Sequence, residues 1–169
     1  MLNPIDTAAV IRDGGAIGCF PGEIHEGVAW WVGACLVVAT QAHRIVVGYD
    51  GCATSAVFYR RFCRGAVNAQ HFACAVTDLR VATEAILVQT TQELGAVPGA
   101  LVTTTVDDGV EQVKIALYDG EGHPLGEETG LARIRHMIAG DRVPIPVNEQ
   151  AKGRVELYPW QSAPEGATE

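Results

Sequence analysis

At 169 residues the chain suits one domain, large enough for a real core and too small for a multi-domain enzyme. Hydrophobic residues make up 48%, yet no apolar run reaches the roughly 18–20 residues of a membrane span, so no membrane partner is expected. The net charge of −8 speaks against nucleic acid, whose phosphates call for clustered Lys and Arg.

The start, Met1 to Asp6, shows no basic leader and no cleavage site, so a cytoplasmic location is expected. Five cysteines (Cys19, Cys35, Cys52, Cys63, Cys74) then read as reduced, mostly buried thiols, and none has convincing zinc spacing. Lys114 and Lys152 are the only lysines among 12 basic residues, and with abundant Ala, Gly and Val this composition fits a GC-rich bacterial genome.

Asp6 or Thr7 caps a short helix to Arg12, and Asp13 to Gly18 reads as turn. Pro21-Gly22-Glu23 opens a helix to about Ala42, with Val28, Trp31, Val32, Cys35, Leu36 and Ala39 at helical spacing. Arg44 to Asp50 reads as a buried parallel strand, and Thr54 or Ser55 caps the following helix to about Asn68. Arg60, Arg61 and Arg64 on that helix fit a solvated face.

Next come a strand from Phe72 to Val76, a loop at Thr77-Asp78 and a helix from about Ala82 to Leu94. A strand from Ala100 to Thr103 enters a Thr-Asp loop that runs to Gly109, and a strand from Val113 to Tyr118 follows. Glu127-Glu128 begins a last helix to Ala139, its acids at the N-terminus and Arg133, Arg135 and His136 nearer the C-terminus, in the order the helix dipole favours. Residues 1–140 then form the domain, and 141–169 a tail rich in Pro, Gly and charge, in which Val155 to Tyr158 adds a short edge strand.

Strands alternating with helices predict a three-layer α/β/α domain with a mostly parallel four-stranded sheet and one antiparallel edge strand. Ligands of such sheets sit beyond the carboxyl ends of the strands. That edge gathers Asp50, Asp78 and Thr103 as candidate ligand-binding residues, with Thr104, Thr105, Asp107 and Asp108 as candidate catalytic ones. An acidic cluster of Asp50, Asp78, Asp107 and Asp108 would suit a divalent cation or general acid/base work, and Asp107-Asp108-Gly109 reads equally as a plain turn. No other cofactor and no metal ligand set is expected. The histidines His25, His43, His71, His123 and His136 form no dyad.

The segment Thr103 to Asp108 followed by Val113 to Tyr118 resembles the phosphoserine loop of the alpha-phosphohexomutases (phosphomannomutase and phosphoglucomutase). Their Thr-Ala-Ser-His-Asn-Pro loop precedes a Gly-Ile-Lys-Leu strand at the same distance. Val46-Val47-Gly48-Tyr49-Asp50-Gly51 is similar to their Val-Val-Gly-Arg-Asp-Thr-Arg segment, and Asp13-Gly14-Gly15 to their Tyr-Asp-Ile-Arg-Gly entry. The resemblance covers about residues 11 to 139 and implies the fold of the family's first domain.

It also implies losses. Val106 falls at the phosphoserine, Asp107 and Asp108 at its His and Asn neighbours, Tyr49 and Cys52 at two arginines, and Ala116 at the lysine. The family's metal loop and sugar-binding domains have no counterpart in these residues. The expectation is a stand-alone pseudoenzyme that binds through an exposed apolar face, including Trp30-Trp31 and Trp160, as a homodimer or with a partner protein. The alternative is a repurposed small enzyme of a specialised bacterial biosynthetic pathway, using the acidic pocket of Asp50, Thr104, Thr105, Asp107 and Asp108.

Overall fold

The computed structural model describes residues 5–69, 73–144 and 148–160. Its elements follow in the order α1 (Thr7–Val10), β1 (Ile11–Arg12), β2 (Gly15–Phe20), α2 (Glu26–Thr40), β3 (Arg44–Tyr49), α3 (Ala53–Val67) and β4 (Ala75–Val81). Then come α4 (Glu84–Glu93), β5 (Gly99–Asp107), β6 (Val110–Tyr118), a π turn (Glu127–Leu131), α5 (Ala132–Ala139) and β7 (Arg154–Leu157).

The strands form one mixed seven-stranded sheet in the order β1-β2-β6-β5-β3-β4-β7. This corrects the expected four-stranded, mostly parallel sheet. β5, β3, β4 and β7 do run parallel to one another, but β6 pairs antiparallel to both β5 and β2, and β2 antiparallel to β1. Two strands are unexpected: β1, where the helix expected to reach Arg12 ends at Val10, and β2, whose glycines read as turn. Those glycines serve close strand approach: a Cβ on Gly15 would lie 1.9 Å from the carbonyl oxygen of Ile115 on β6.

Other boundaries moved for local reasons. β4 runs through Thr77 and Asp78 instead of stopping before them, and its expected start at Phe72 lies outside the described residues. A bulge falls there, since Val47 faces Asp78 while Gly48 faces Arg80 (φ 57°), and the Asp78 carboxylate accepts the Arg80 N–H at 2.7 Å. α3 is capped at Cys52, not at Thr54 or Ser55; the cap receives no bond from its own side chain, and Asp50 takes the Cys52 N–H instead. The last helix is broken at Gly130 (φ 151°) into the π turn and α5.

Helices α2, α3 and α5 cover one face of the sheet and α4 lies on the other. The first face carries the main core: Val28, Val32 and Leu36 of α2, Phe58 and Phe62 of α3 and Ile134 of α5 pack on Ile45, Val47, Val76, Val102, Ile115 and Leu117. α2 is apolar nearly all round because it is buried nearly all round, and Trp31, expected at an exposed face, is buried in it. The second face holds a small cluster, Val46, Leu79, Leu87, Leu101 and Tyr118. Among the described residues no helix is long and apolar enough to cross a membrane.

α2 and α3 cross backbone to backbone. A Cβ on Gly33 would lie 2.3 Å from the carbonyl oxygen of Phe62, and one on Gly65 would lie 2.0 Å from that of Trp30. Neither backbone can yield without separating the helices. Arg135 of α5 closes the layer, donating to both carboxylate oxygens of Glu127 at 2.7 and 2.6 Å and, through Nε, to the carbonyl of Ile11 at 2.8 Å. The Gly65→Ala variant is therefore expected to lose about 1–3 kcal/mol of stability by overpacking, read as a lowered urea midpoint with an unchanged slope. An unchanged midpoint would mean that the helices do not meet there.

Candidate functional site

The segment expected to loop beyond the sheet is a strand. β5 continues through Thr103, Thr104, Thr105 and Val106 to Asp107, pairing residue by residue with β6 down to Asp107 opposite Val110. Asp108 (φ 51°) and Gly109 (φ 76°) form the tight turn of a two-residue hairpin, the geometry for which an Asp-Gly pair is favoured. The turn reading of Asp107-Asp108-Gly109 thus fits the tip at Asp108-Gly109, while Asp107 belongs to the strand.

Extended pairing sends alternate side chains to opposite faces. Thr104 points towards α3, where its hydroxyl lies 2.6 Å from that of Ser55. Thr103, Thr105 and Asp107 consequently point to the other face. Val106 shares the α3 side with Thr104 and is 66% exposed. The two candidate hydroxyls of Thr104 and Thr105 therefore do not serve one site.

Asp50 holds this edge together. Its Oδ1 accepts the N–H of Cys52 at 2.9 Å, and its Oδ2 accepts the N–H of Thr104 at 2.8 Å. One carboxylate thereby caps the entry to α3 and fixes β5 where it leaves the sheet. Glu111, directly opposite Val106 on β6, completes the arrangement: the Thr54 hydroxyl donates to its two oxygens at 2.9 and 3.0 Å. Sequence reasoning missed Glu111 and Thr54, which lie 57 residues apart. Reading Asp108-Gly109 as a hairpin turn would have placed Glu111 across from Val106.

The four aspartates are not brought together. Asp78 stands in register with Val47, three residues before Asp50 in β3, and its carboxylate accepts the hydroxyl of Tyr59 as well as the Arg80 N–H. Asp107 lies on the opposite face from Thr104, and Asp108 at the hairpin tip. Among the described residues no group of three or more His, Cys, Asp and Glu could hold a metal ion. His123 sits in an exposed loop, 3.5 Å from a Glu121 oxygen and 3.9 Å from one of Asp119; His25 instead caps α2, accepting the Gly27 N–H at 3.1 Å. His71 lies outside the described residues.

Burial raises the thiols of Cys35, Cys63 and Cys74 to about 12, so these side chains are inert core. Burial also raises the Tyr59 phenol, and the neighbouring Cys63 and Asp78 push it the same way. Tyr59 is therefore a neutral donor to Asp78. The edge is a latch of matched donors and acceptors, with acids where an anion would have to enter.

No protein-family model matches the chain, and no curated protein matches it. Among solved structures it is similar to a phosphoglucomutase/phosphomannomutase family protein from Burkholderia thailandensis, with 14% identity and a TM-score of 0.66 over 92% of this chain and 34% of that one. It is also similar to a putative phosphomannomutase from Thermus thermophilus, with 19% identity and a TM-score of 0.65 over 89% of this chain and 33% of that one. The fold is phosphohexomutase-like, and the chain spans about a third of the length of these proteins.

The latch separates two kinds of aspartate. Asp50→Ala is expected to cost about 1–2 kcal/mol, because two backbone donors lose their acceptor at a partly hydrated edge. Asp107→Ala should stay within about 0.5 kcal/mol, as for an exposed side chain without a structural partner. Thermal melts of the two variants check this, and equal effects would refute the assignment.

Proposed function

We propose that this chain is a phosphohexomutase-like domain that does not transfer phosphoryl groups and works by binding, as a scaffold or accessory protein. One observation carries the reading. On the α3 side of the sheet's carboxyl edge the polar groups are spent on each other: Asp50 on two backbone N–H groups, Glu111 on the Thr54 hydroxyl, Ser55 on Thr104. A phosphate site needs free donors and positive potential. Here the nearest charged groups are carboxylates.

Val106, which falls at the phosphoserine position in the resemblance, lies on a paired strand opposite Glu111, whose two oxygens are already taken by the Thr54 hydroxyl. Neither the native chain nor Val106→Ser should convert hexose 1-phosphate to hexose 6-phosphate in the presence of magnesium and a hexose bisphosphate. Intact-mass measurement should show no phosphoryl adduct on either. A phosphorylated protein or measurable turnover would overturn the reading.

Self-association is the simplest form of binding for this domain. On the face of β2, β6 and β5 opposite α3, the residues Ile17, Cys19, Gln112, Lys114, Thr103 and Thr105 are all partly or fully exposed, while their alternates Val113 and Ile115 are fully buried. A two-fold dimer burying this open face should leave no monomer at micromolar concentration in size exclusion with light scattering. Ile17→Glu should restore the monomer. A monomeric native chain would remove self-association and leave a different protein as the partner.

A further inference from the structure

The sheet ends on one side at β7, and that edge has the features of a second binding surface. β7 runs parallel to β4, with Arg154 opposite Ala75 and Leu157 opposite Asp78. The N–H of Arg154 donates to the Cys74 carbonyl at 3.1 Å, and that of Tyr158 to the Asp78 carbonyl at 2.9 Å. By strand alternation the N–H and C=O groups of Val155 and Leu157 point away from β4, and among the described residues no strand pairs with them. The Val155 and Leu157 side chains are 49% and 55% exposed. Natural proteins usually blunt such edges, because an unpaired row of donors and acceptors templates another strand.

The surface beside this edge has a specific chemistry. Val155 forms one wall of a cavity of about 240 Å³, whose other lining residues are Tyr59, Cys63, Val67 and Asp78 with Arg60 and Arg64. Asp78 is engaged by Tyr59 and Arg80, so the cavity presents a largely apolar interior. Arg60 and Arg64 stand one helical turn apart on α3, both exposed, and among the described residues neither has a carboxylate partner. By contrast Arg44 and Arg154, on the opposite side of β7, both pair with Glu156.

We propose that the outer edge of β7 is a strand-addition site for an extended acidic segment of a partner protein, with Arg60 and Arg64 reading its carboxylates. This rests on the binding reading above. The segment's backbone pairs with the outward groups of Val155 and Leu157, and a small aliphatic side chain enters the cavity. Acids at alternate positions of an extended chain stand about 6.6 Å apart, close to the rise of about 6 Å between Arg60 and Arg64 along α3. Two Arg–carboxylate pairs then select the segment, while main-chain bonds hold it.

A second copy of this chain fits the edge poorly. Two-fold pairing of β7 with itself would place both α3 helices on the same face of the extended sheet. The Arg60 and Arg64 pairs of the two copies would then face one another, and like charges oppose such pairing.

Selection of a peptide-display library on the whole chain, followed by binding and amide exchange with the best synthetic peptide, tests the proposal. Enriched peptides should carry Asp or Glu at alternate positions beside an aliphatic residue. Arg60→Ala combined with Arg64→Ala should weaken binding by about tenfold or more. The peptide should slow exchange at the Val155 and Leu157 amides. Val155→Pro should abolish binding while leaving the β4–β7 pairing intact, since the amide it removes points outward.

Enrichment of peptides without acids, no enrichment, or binding that survives Val155→Pro would overturn the proposal. So would protection of the same two amides that grows with protein concentration alone, which would make a second copy the occupant. None of these results touches the phosphoryl-transfer assay, so the edge proposal and the binding reading can fail separately.

Discussion

The unbroken ladder between β5 and β6, from Gly99 opposite Tyr118 to Asp107 opposite Val110, governs the rest of the molecule. β5 is the seam of the sheet: it is parallel to β3 on one side and antiparallel to β6 on the other. Because the pairing continues past the point where the parallel half ends, Thr103 to Asp107 cannot form a loop. Their side chains are dealt alternately to two faces; the backbone groups of Thr103, Thr105 and Asp107 face β6, and the Thr104 N–H, on the other side, is taken by Asp50. A catalytic loop needs convergent side chains, which alternation along a ladder does not supply.

The ladder keeps its place because the helical layer beneath it is rigid. α3 can reach both Thr104 through Ser55 and Glu111 through Thr54 only if it lies at a fixed distance from the sheet. That distance is set from behind, by α2, through the close approach of Gly33 and Gly65. Packing of this kind does not deform continuously. The resulting core is lopsided, with most large buried side chains on the α2–α3–α5 face. The opposite face has α4 over a small cluster and half-exposed residues elsewhere, and the surfaces available for binding follow from that imbalance.

Much of this was legible in the residues, for identifiable reasons. β3 and β6 show as apolar runs, α2 and α4 as periodic or well-capped segments, and β7 emerged from Val155 to Tyr158 in spite of its charged surroundings. β2 was not legible, because Gly15 and Gly18 read as turn where they in fact permit close packing. The extension of β4 through Thr77 and Asp78 was hidden by residue types that usually mark loops, here used for a bulge. The hairpin was legible from Asp108-Gly109, but the resemblance to a phosphate loop drew the reading away from it. The latch of Thr54 and Glu111 was out of reach, since it depends on a contact across 57 residues that only the strand register creates.

The distribution of charge connects the two surfaces. The chain carries a net −8, and at the hairpin edge Asp50 and Glu111 serve as internal acceptors while Asp107 and Asp108 are exposed beside them. Of the arginines, Arg12, Arg44, Arg135 and Arg154 are matched with carboxylates. Arg60, Arg61, Arg64, Arg80, Arg133 and Arg142 have no such partner among the described residues, and of these Arg60 and Arg64 stand beside an unpaired strand edge and an apolar cavity. Leaving two guanidiniums unpaired costs little while they are hydrated, since surface ion pairs are worth about 0–1 kcal/mol. Their effect grows when a docking strand excludes water from them, because the local dielectric falls and the same charge pair becomes stronger. Such charges contribute to specificity at the moment of binding while adding little to the stability of the free domain.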